Sequence, residues 1–201
     1  MGASSLLTYV EPARAARSLT QHVKVSGANT LSDVPYVMQG TDYSCGAASL
    51  QAVLSYWGTD LPEHVLMDRL HTSPRHGTHP EDITRVAREL GFDATMEVEL
   101  TIREIAASIE DGVPVIIAAQ AWPEEPSADF SWTDDWEDGH YMVVIGVDGE
   151  RIYLEDPALE GSRGAILLDE FDERWHNFLG DSPTAPGTVF VQHMGIFVTR
   201  R

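Results

Sequence analysis

Residues 39–58 read QGTDYSCGAASLQAVLSYWG, and this stretch decides the fold. Turn residues (Gly40, Thr41, Asp42, Ser44) give way to a helical pattern. Leu50, Val53, Leu54 and Trp57 recur at i, i+3, i+4 and i+7, and Gly58 supplies the stop. The pattern predicts a helix over 44–57 with one apolar face. Cys45, the only cysteine, stands at or just before its first turn. The unpaired N–H groups and dipole of a helix start stabilise a thiolate, lowering the thiol from its free pKa of about 8.5. Gly46, Ala47 and Ala48 are small enough to let a substrate carbonyl approach. Gln39, six residues before Cys45, can offer its side-chain amide as one oxyanion donor, with the Cys45 backbone N–H as the other.

Far downstream, residues 139–157 read GHYMVVIGVDGERIYLEDP. His140 falls at the start of one expected strand and Asp156 at the end of the next. A thiol, an imidazole and a carboxylate to orient it make a nucleophilic centre. Strand geometry tests the pairing. A two-residue loop at Asp148-Gly149 would send His140 and Asp156 to opposite faces. A three-residue loop with Gly149 in the left-handed region pairs them directly on one face. The chemistry therefore predicts the three-residue loop or another same-face register. Taken singly, each residue has a plainer reading. Cys45 fits a buried small hydrophobe, Gln39 a loop residue, His140 a strand-end histidine and Asp156 a turn starter before Pro157. Their order and co-occurrence favour chemistry.

Three stretches, VPYVMQGTDYSCGAASLQAVLSYWG, GVPVIIAAQAW and DGHYMVVIGVDGERIYLEDPALEGSRGAILLDEFDERWHNF, resemble the double-glycine (bacteriocin-processing) family of papain-like cysteine peptidases. The likeness spans about residues 34–180 and is nearest to the stand-alone, peptidase-like members. It implies a papain-like fold with Cys45 as nucleophile, His140 as base, Asp156 as orienter and Gln39 in the oxyanion hole. Members fused to transporters cut leader peptides after a Gly-Gly pair. The family's frequent Gly-Pro after the cysteine is Gly46-Ala47 here.

Around this centre the chain reads as α+β. A helical half carries the cysteine, and a later antiparallel sheet carries the histidine and aspartate. Helices are expected at 62–70, at 80–90 and, after a Thr101-x-x-Glu104 capping box, across Ile105 and Ile109. Strands are expected at Val113–Ala119, Tyr141–Val147, Ile152–Glu155, Ala165–Leu168 and Thr188–Val198, with a helix at Asp169–Leu179. Residues 1–33 read as an N-terminal arm or extra element and 34–201 as the peptidase-like domain.

The 201 residues suit one domain, and the formal charge of −19 disfavours nucleic acid and anionic membranes as partners. No apolar run reaches the ~18 residues of a membrane span, and no secretory signal is visible. A lone thiol excludes an internal disulfide and suits a reducing, cytoplasmic setting. The acidic surface, with Lys24 the only lysine, fits a high-salt cytoplasm or a compositional bias, and hints at a cationic substrate.

Residues 121–140, AWPEEPSADFSWTDDWEDGH, place Trp122, Trp132 and Trp136 among carboxylates just before His140. A long loop there reads as a structural loop with aromatic anchors or as a cleft wall, with a cation site a further alternative. Trp122 and Trp136, with Gly139 and Gly46, are the candidate substrate-binding residues. The acidic run matches no EF-hand loop. His71, His76 and His79 lack a zinc-ligand spacing and read as surface polar groups. No metal or cofactor is expected. The sequence points to hydrolysis of a peptide or other amide bond. Acyl transfer, cyclisation or deamidation by the same residues remains open, as does a non-catalytic peptide-binding module on the same fold.

Overall fold

The computed structural model describes residues 6–9, 21–24, 29–123, 130–160, 163–180 and 182–201. Helix α1 (Cys45–Tyr56) forms where its periodicity predicts. Gly58, at φ 84°, ends it in a conformation that strains other residues. Helices α2 (Glu63–Arg69) and α3 (Pro80–Glu89) follow. The predicted capping box opens α4 (Ile102–Glu110). The Thr101 hydroxyl accepts from the Glu104 N–H at 3.3 Å, and the Glu104 carboxylate from the Thr101 N–H at 2.8 Å. A cap of this kind contributes roughly 1 kcal/mol. Helix α5 (Leu168–Arg174) is the last.

The strands are β1 (Leu6–Tyr9), β2 (Gln21–Lys24), β3 (Asn29–Thr30), β4 (Phe92–Glu97), β5 (Val115–Gln120), β6 (Gly139–Val147), β7 (Arg151–Glu155), β8 (Arg163–Leu167), β9 (His176–Leu179), β10 (Val189–Gln192) and β11 (Gly195–Arg200). The main sheet runs β2-β1-β8-β7-β6-β5-β11-β4, with β3 also on β6. Its pairs are antiparallel except β1 with β8. β9 and β10 form a separate hairpin.

Both faces of the central strands are covered. Leu50, Val53 and Leu54 of α1, with Ile83 and Val86 of α3, share one core with Tyr141, Val143 and Ile145 of β6. Ile105 and Ile109 of α4, with Phe171 and Trp175, share the other with Met142, Val144, Ile152 and Leu154. Burial on both sides is why β5 and β6 read as continuous apolar runs.

Several elements differ from the sequence reading. The run Thr188–Val198 is not one strand. It breaks at His193, whose φ is 50°, into β10 and β11, which belong to different sheets. The expected helix Asp169–Leu179 stops at Arg174, because Trp175 turns inward and donates its indole N–H to the Met194 carbonyl at 2.9 Å. His176–Leu179 is then free to pair with β10. β4 was not anticipated; Phe92 and Ala94 alternate inward along it. Within 1–33, β1 and β2 extend the sheet past β8, and β3 lies along β6. Residues 1–5, 10–20 and 25–28 of the expected arm lie outside the described residues, as do 124–129 of the acidic Trp-rich loop.

Candidate active site

The β6–β7 hairpin brings His140 and Asp156 to one face by a route other than the expected three-residue loop. The turn is tight and sits one residue later than the two-residue alternative. The Asp148 N–H donates to the Arg151 carbonyl at 2.9 Å, leaving Gly149-Glu150 at the tip. The Asp148 carboxylate accepts from the Glu150 and Arg151 N–H groups at 2.7 Å each. Gly149 is not left-handed. From this turn Val147 pairs with Ile152 and Gly146 with Tyr153. An unbroken ladder would carry Asp156 opposite Val143, on the face opposite to His140. A bulge at Ile145 intervenes, and beyond it Val144 pairs with Leu154 and Val143 with Glu155. Continued by one residue, this register sets Asp156 opposite Met142, two positions from His140 and on its face. Gly146, a lone glycine inside a strand pattern, was the available signal of the bulge.

His140 Nε2 and Asp156 Oδ1 are 2.7 Å apart, with both side chains buried. Asp156 is fully enclosed, and its carboxylate is well supplied with donors. Oδ1 also accepts from the Ala158 N–H at 2.8 Å, and Oδ2 accepts from the Trp122 indole N–H at 2.7 Å. With Nε2 engaged, Nδ1 is the imidazole nitrogen left for the thiol. Burial pushes the Cys45 thiol up. The hydrogen bond and charge of His140, with the N–H groups of Tyr141 and Gly46, outweigh that and hold it below the ordinary thiol range. Burial likewise pulls His140 down, but the Asp156 charge and hydrogen bond, with Cys45 behind them, hold it well above the usual imidazole range. Both shifts act in the direction of a thiolate–imidazolium pair.

Cys45 is the first residue of α1, and no side chain caps that helix start. Ser44 turns its hydroxyl back on Thr41 instead, accepting from the Thr41 N–H at 3.0 Å. Gln39 lies in the preceding segment, whose backbone is tied to the sheet. The Gln39 N–H donates to the Pro157 carbonyl at 3.0 Å, and the Val37 N–H to the Glu155 carboxylate at 2.7 Å. The Gln39 side-chain N–H donates to the Thr41 carbonyl at 2.8 Å, a bond that uses one of its two amide hydrogens.

A cavity of about 340 Å³ opens at Cys45. Gly139, Tyr141, Thr78 and Met194 are among its lining residues, whereas Gln39, His140, Trp122 and Trp136 are not. Gly46 packs on Thr78; a Cβ there would come within 2.7 Å of the threonine side chain. Trp136 packs on His176 and Phe190 and borders a different hollow, away from Cys45. Trp122 stands behind Asp156, where the Arg174 guanidinium lies 4.9 Å from its ring centre. The same guanidinium stacks 3.5 Å from the centre of the Trp132 ring and pairs with Glu170. Sequence reasoning missed this support for the carboxylate, because it joins α5 to a loop far away in the chain. His76 and His79, expected as surface polar groups, are exposed and line the cavity mouth. Among the described residues, no three His, Cys, Asp or Glu side chains are grouped to hold a metal ion.

A helix start meeting an antiparallel sheet, with thiol, imidazole and carboxylate in line, is the plan of the papain-like cysteine peptidases. The chain belongs to the Peptidase_C39 like family, which residues 31–182 match. It is 28% identical over 151 residues to the Probable functional amyloid protease FapD of Pseudomonas aeruginosa, covering 71% of this chain and 58% of FapD. The chain thus spans less than two thirds of the curated relatives it matches, and only 19% of the mesentericin transport/processing protein MesD of Leuconostoc mesenteroides. Among solved structures, a C39-like peptidase from Bacillus anthracis superposes with a TM-score of 0.65 at 19% identity, over 88% of this chain and 99% of that one. The double glycine motif protease of an AMS/PCAT transporter, solved with its leader peptide, gives 0.56 at 21% identity, over 84% and 92%. Among the described residues, no helix is long and apolar enough to cross a membrane.

Proposed function

We propose that this chain cleaves a peptide or other amide bond through a thioester acyl-enzyme. Cys45 is the nucleophile, His140 the base and then the acid, and Asp156 the group that orients the imidazole. The observation that carries this reading is the 2.7 Å pairing of His140 Nε2 with Asp156 Oδ1 beside Cys45, the first residue of α1, whose thiol pKa the imidazole lowers. The thiolate attacks the carbonyl carbon. The oxyanion is met by the Cys45 backbone N–H and the second amide hydrogen of Gln39. The C–N bond breaks as the imidazolium gives its proton to the leaving amine. Water, deprotonated by His140, then attacks the thioester and frees Cys45. No step calls for a metal or cofactor. The family and the leader-peptide complex of the PCAT relative support a peptide substrate. A thiolate centre suits a reducing, cytoplasmic setting.

The test is intact mass spectrometry of acid-quenched reactions with a proteome-derived peptide library. The expected result is an acyl adduct on Cys45, with Cys45→Ala lacking it and losing about 10⁴-fold or more of turnover. Turnover by Cys45→Ala would refute the mechanism. Product masses with and without an added amine separate hydrolysis from transfer.

A further inference from the structure

We propose that the cavity beside Cys45 is a specificity pocket for an apolar side chain on the acyl half of the substrate, adjoining the scissile bond. This rests on the peptidase reading above and goes beyond it, because a Gly-Gly pair would leave the pocket unfilled. At about 340 Å³ the cavity reaches the size of ligand pockets, roughly 300–1,000 Å³. Its buried floor is Thr78, Ala118, Tyr141 and Met194. The floor's side-chain hydroxyls are engaged: that of Tyr141 donates to the Thr78 carbonyl at 3.1 Å, and that of Thr78 pairs with the Thr72 hydroxyl at 2.7 Å. Leu179 and Val191 add apolar wall. The charged lining groups, among them Asp42, Arg75 and Glu137, are exposed and stand at the mouth. A charged side chain in the floor would lose water and gain no partner there. An aliphatic one is favoured by its own burial.

The side of the scissile bond follows from what does not line the cavity. His140 gives its proton to the leaving amine, so the leaving half lies on the His140 side of Cys45. His140 does not border the cavity. The cavity therefore receives the other half, which becomes the acyl group on Cys45. Ala118 sets its depth, since a larger residue at that point of β5 would stand up into the floor.

The test uses three dipeptidyl chloromethyl ketones, acetyl-Leu-Gly, acetyl-Gly-Leu and acetyl-Gly-Gly. In each the Cys45 thiolate displaces chloride and forms a thioether, so labelling is read by intact mass without any turnover. One of the two leucine probes is expected to label at least about 10-fold faster than the Gly-Gly probe, the scale of discrimination in apolar pockets. Ala118→Met should collapse that ratio. Val191→Asp, at the half-exposed wall, gives a second reading should Ala118→Met fail to fold. Equal rates for all three probes, or a faster Gly-Gly probe, overturn the pocket while leaving the peptidase reading intact. Labelling by iodoacetamide but by none of the probes also overturns it. A thiol inert to iodoacetamide as well overturns both readings.

Discussion

On the α1 face of the sheet, Cys45 is held by small and apolar neighbours close to it in the chain or on the adjacent strand. Gly46 fits against Thr78, and Tyr141 supplies a backbone N–H to the sulfur. On the α5 face, Asp156 is held by distant partners and by charge. Trp122 binds it, Arg174 stacks on Trp122 and Trp132, and Glu170 pairs with Arg174. The nucleophile needs space for substrate and a helix start. The carboxylate needs fixed donors in a dry place, which only a cluster from several elements supplies. The two faces should therefore fail differently when broken.

Among variants that leave the thiol and the imidazole in place, the largest effect is expected from Asp156→Asn. On its isosteric geometry, one amide atom must still accept from His140 and Ala158, which turns the –NH₂ toward the Trp122 N–H, donor against donor. A loss of about 10³-fold in kcat/KM is expected, smaller than that of His140→Ala. The double variant Trp122→Phe/Asp156→Asn removes the opposed donor and should regain part of the loss. Equal activities of the single and double variants would show that Trp122 does not set the carboxylate.

Arg174→Leu tests the support behind it. Truncating one partner of a buried pair leaves Glu170 uncompensated, at about 3–5 kcal/mol. A fall of that size in denaturant-derived stability, with Cys45 alkylation at pH 7 still fast, would set the α5 face apart as structural support. Trp122→Phe alone keeps the ring and removes one donor to a charged acceptor. A decrease of about 10-fold in kcat/KM with little change in KM is expected. A change in KM alone would instead return Trp122 to the cleft wall that its sequence position suggested.

The same contrast explains what could be read in advance. Helix α1, the capping box of α4 and the order of Gln39, Cys45, His140 and Asp156 depend on local pattern or linear spacing, and were legible. The face shared by His140 and Asp156 was legible as a requirement, but its means was not. A bulge depends on how two strands share an odd residue, and Gly146 only hinted at one. The pairing of Arg174 with Trp122 and Trp132 left no periodic trace, since it joins a helix to an irregular loop. His176–Leu179 carries a pattern that a short helix or strand can both satisfy, and β10 decided it.

Glu155, next to Asp156 in the chain, gives the smallest and most specific prediction. It points to the α1 face, fully buried, where one carboxylate oxygen accepts from Val37 and the other has no partner among the described residues. Burial raises its pKa to about 8 from an ordinary 4.5, with the Asp156 charge adding to the rise and the Val37 N–H opposing it. Between those values the folded protein holds a proton that the unfolded chain has released, so stability falls as pH rises through that window. Glu155→Gln keeps the acceptor for Val37 and cannot ionise. It should match the wild type near pH 4.5 and grow relatively more stable up to about pH 8, with the difference constant above. Urea denaturation of both proteins at intervals across that range measures it. A constant difference across the whole range would mean that Glu155 is ionised in the fold, held by Arg163, and that the segment carrying Gln39 is anchored by an ion pair instead of a neutral hydrogen bond.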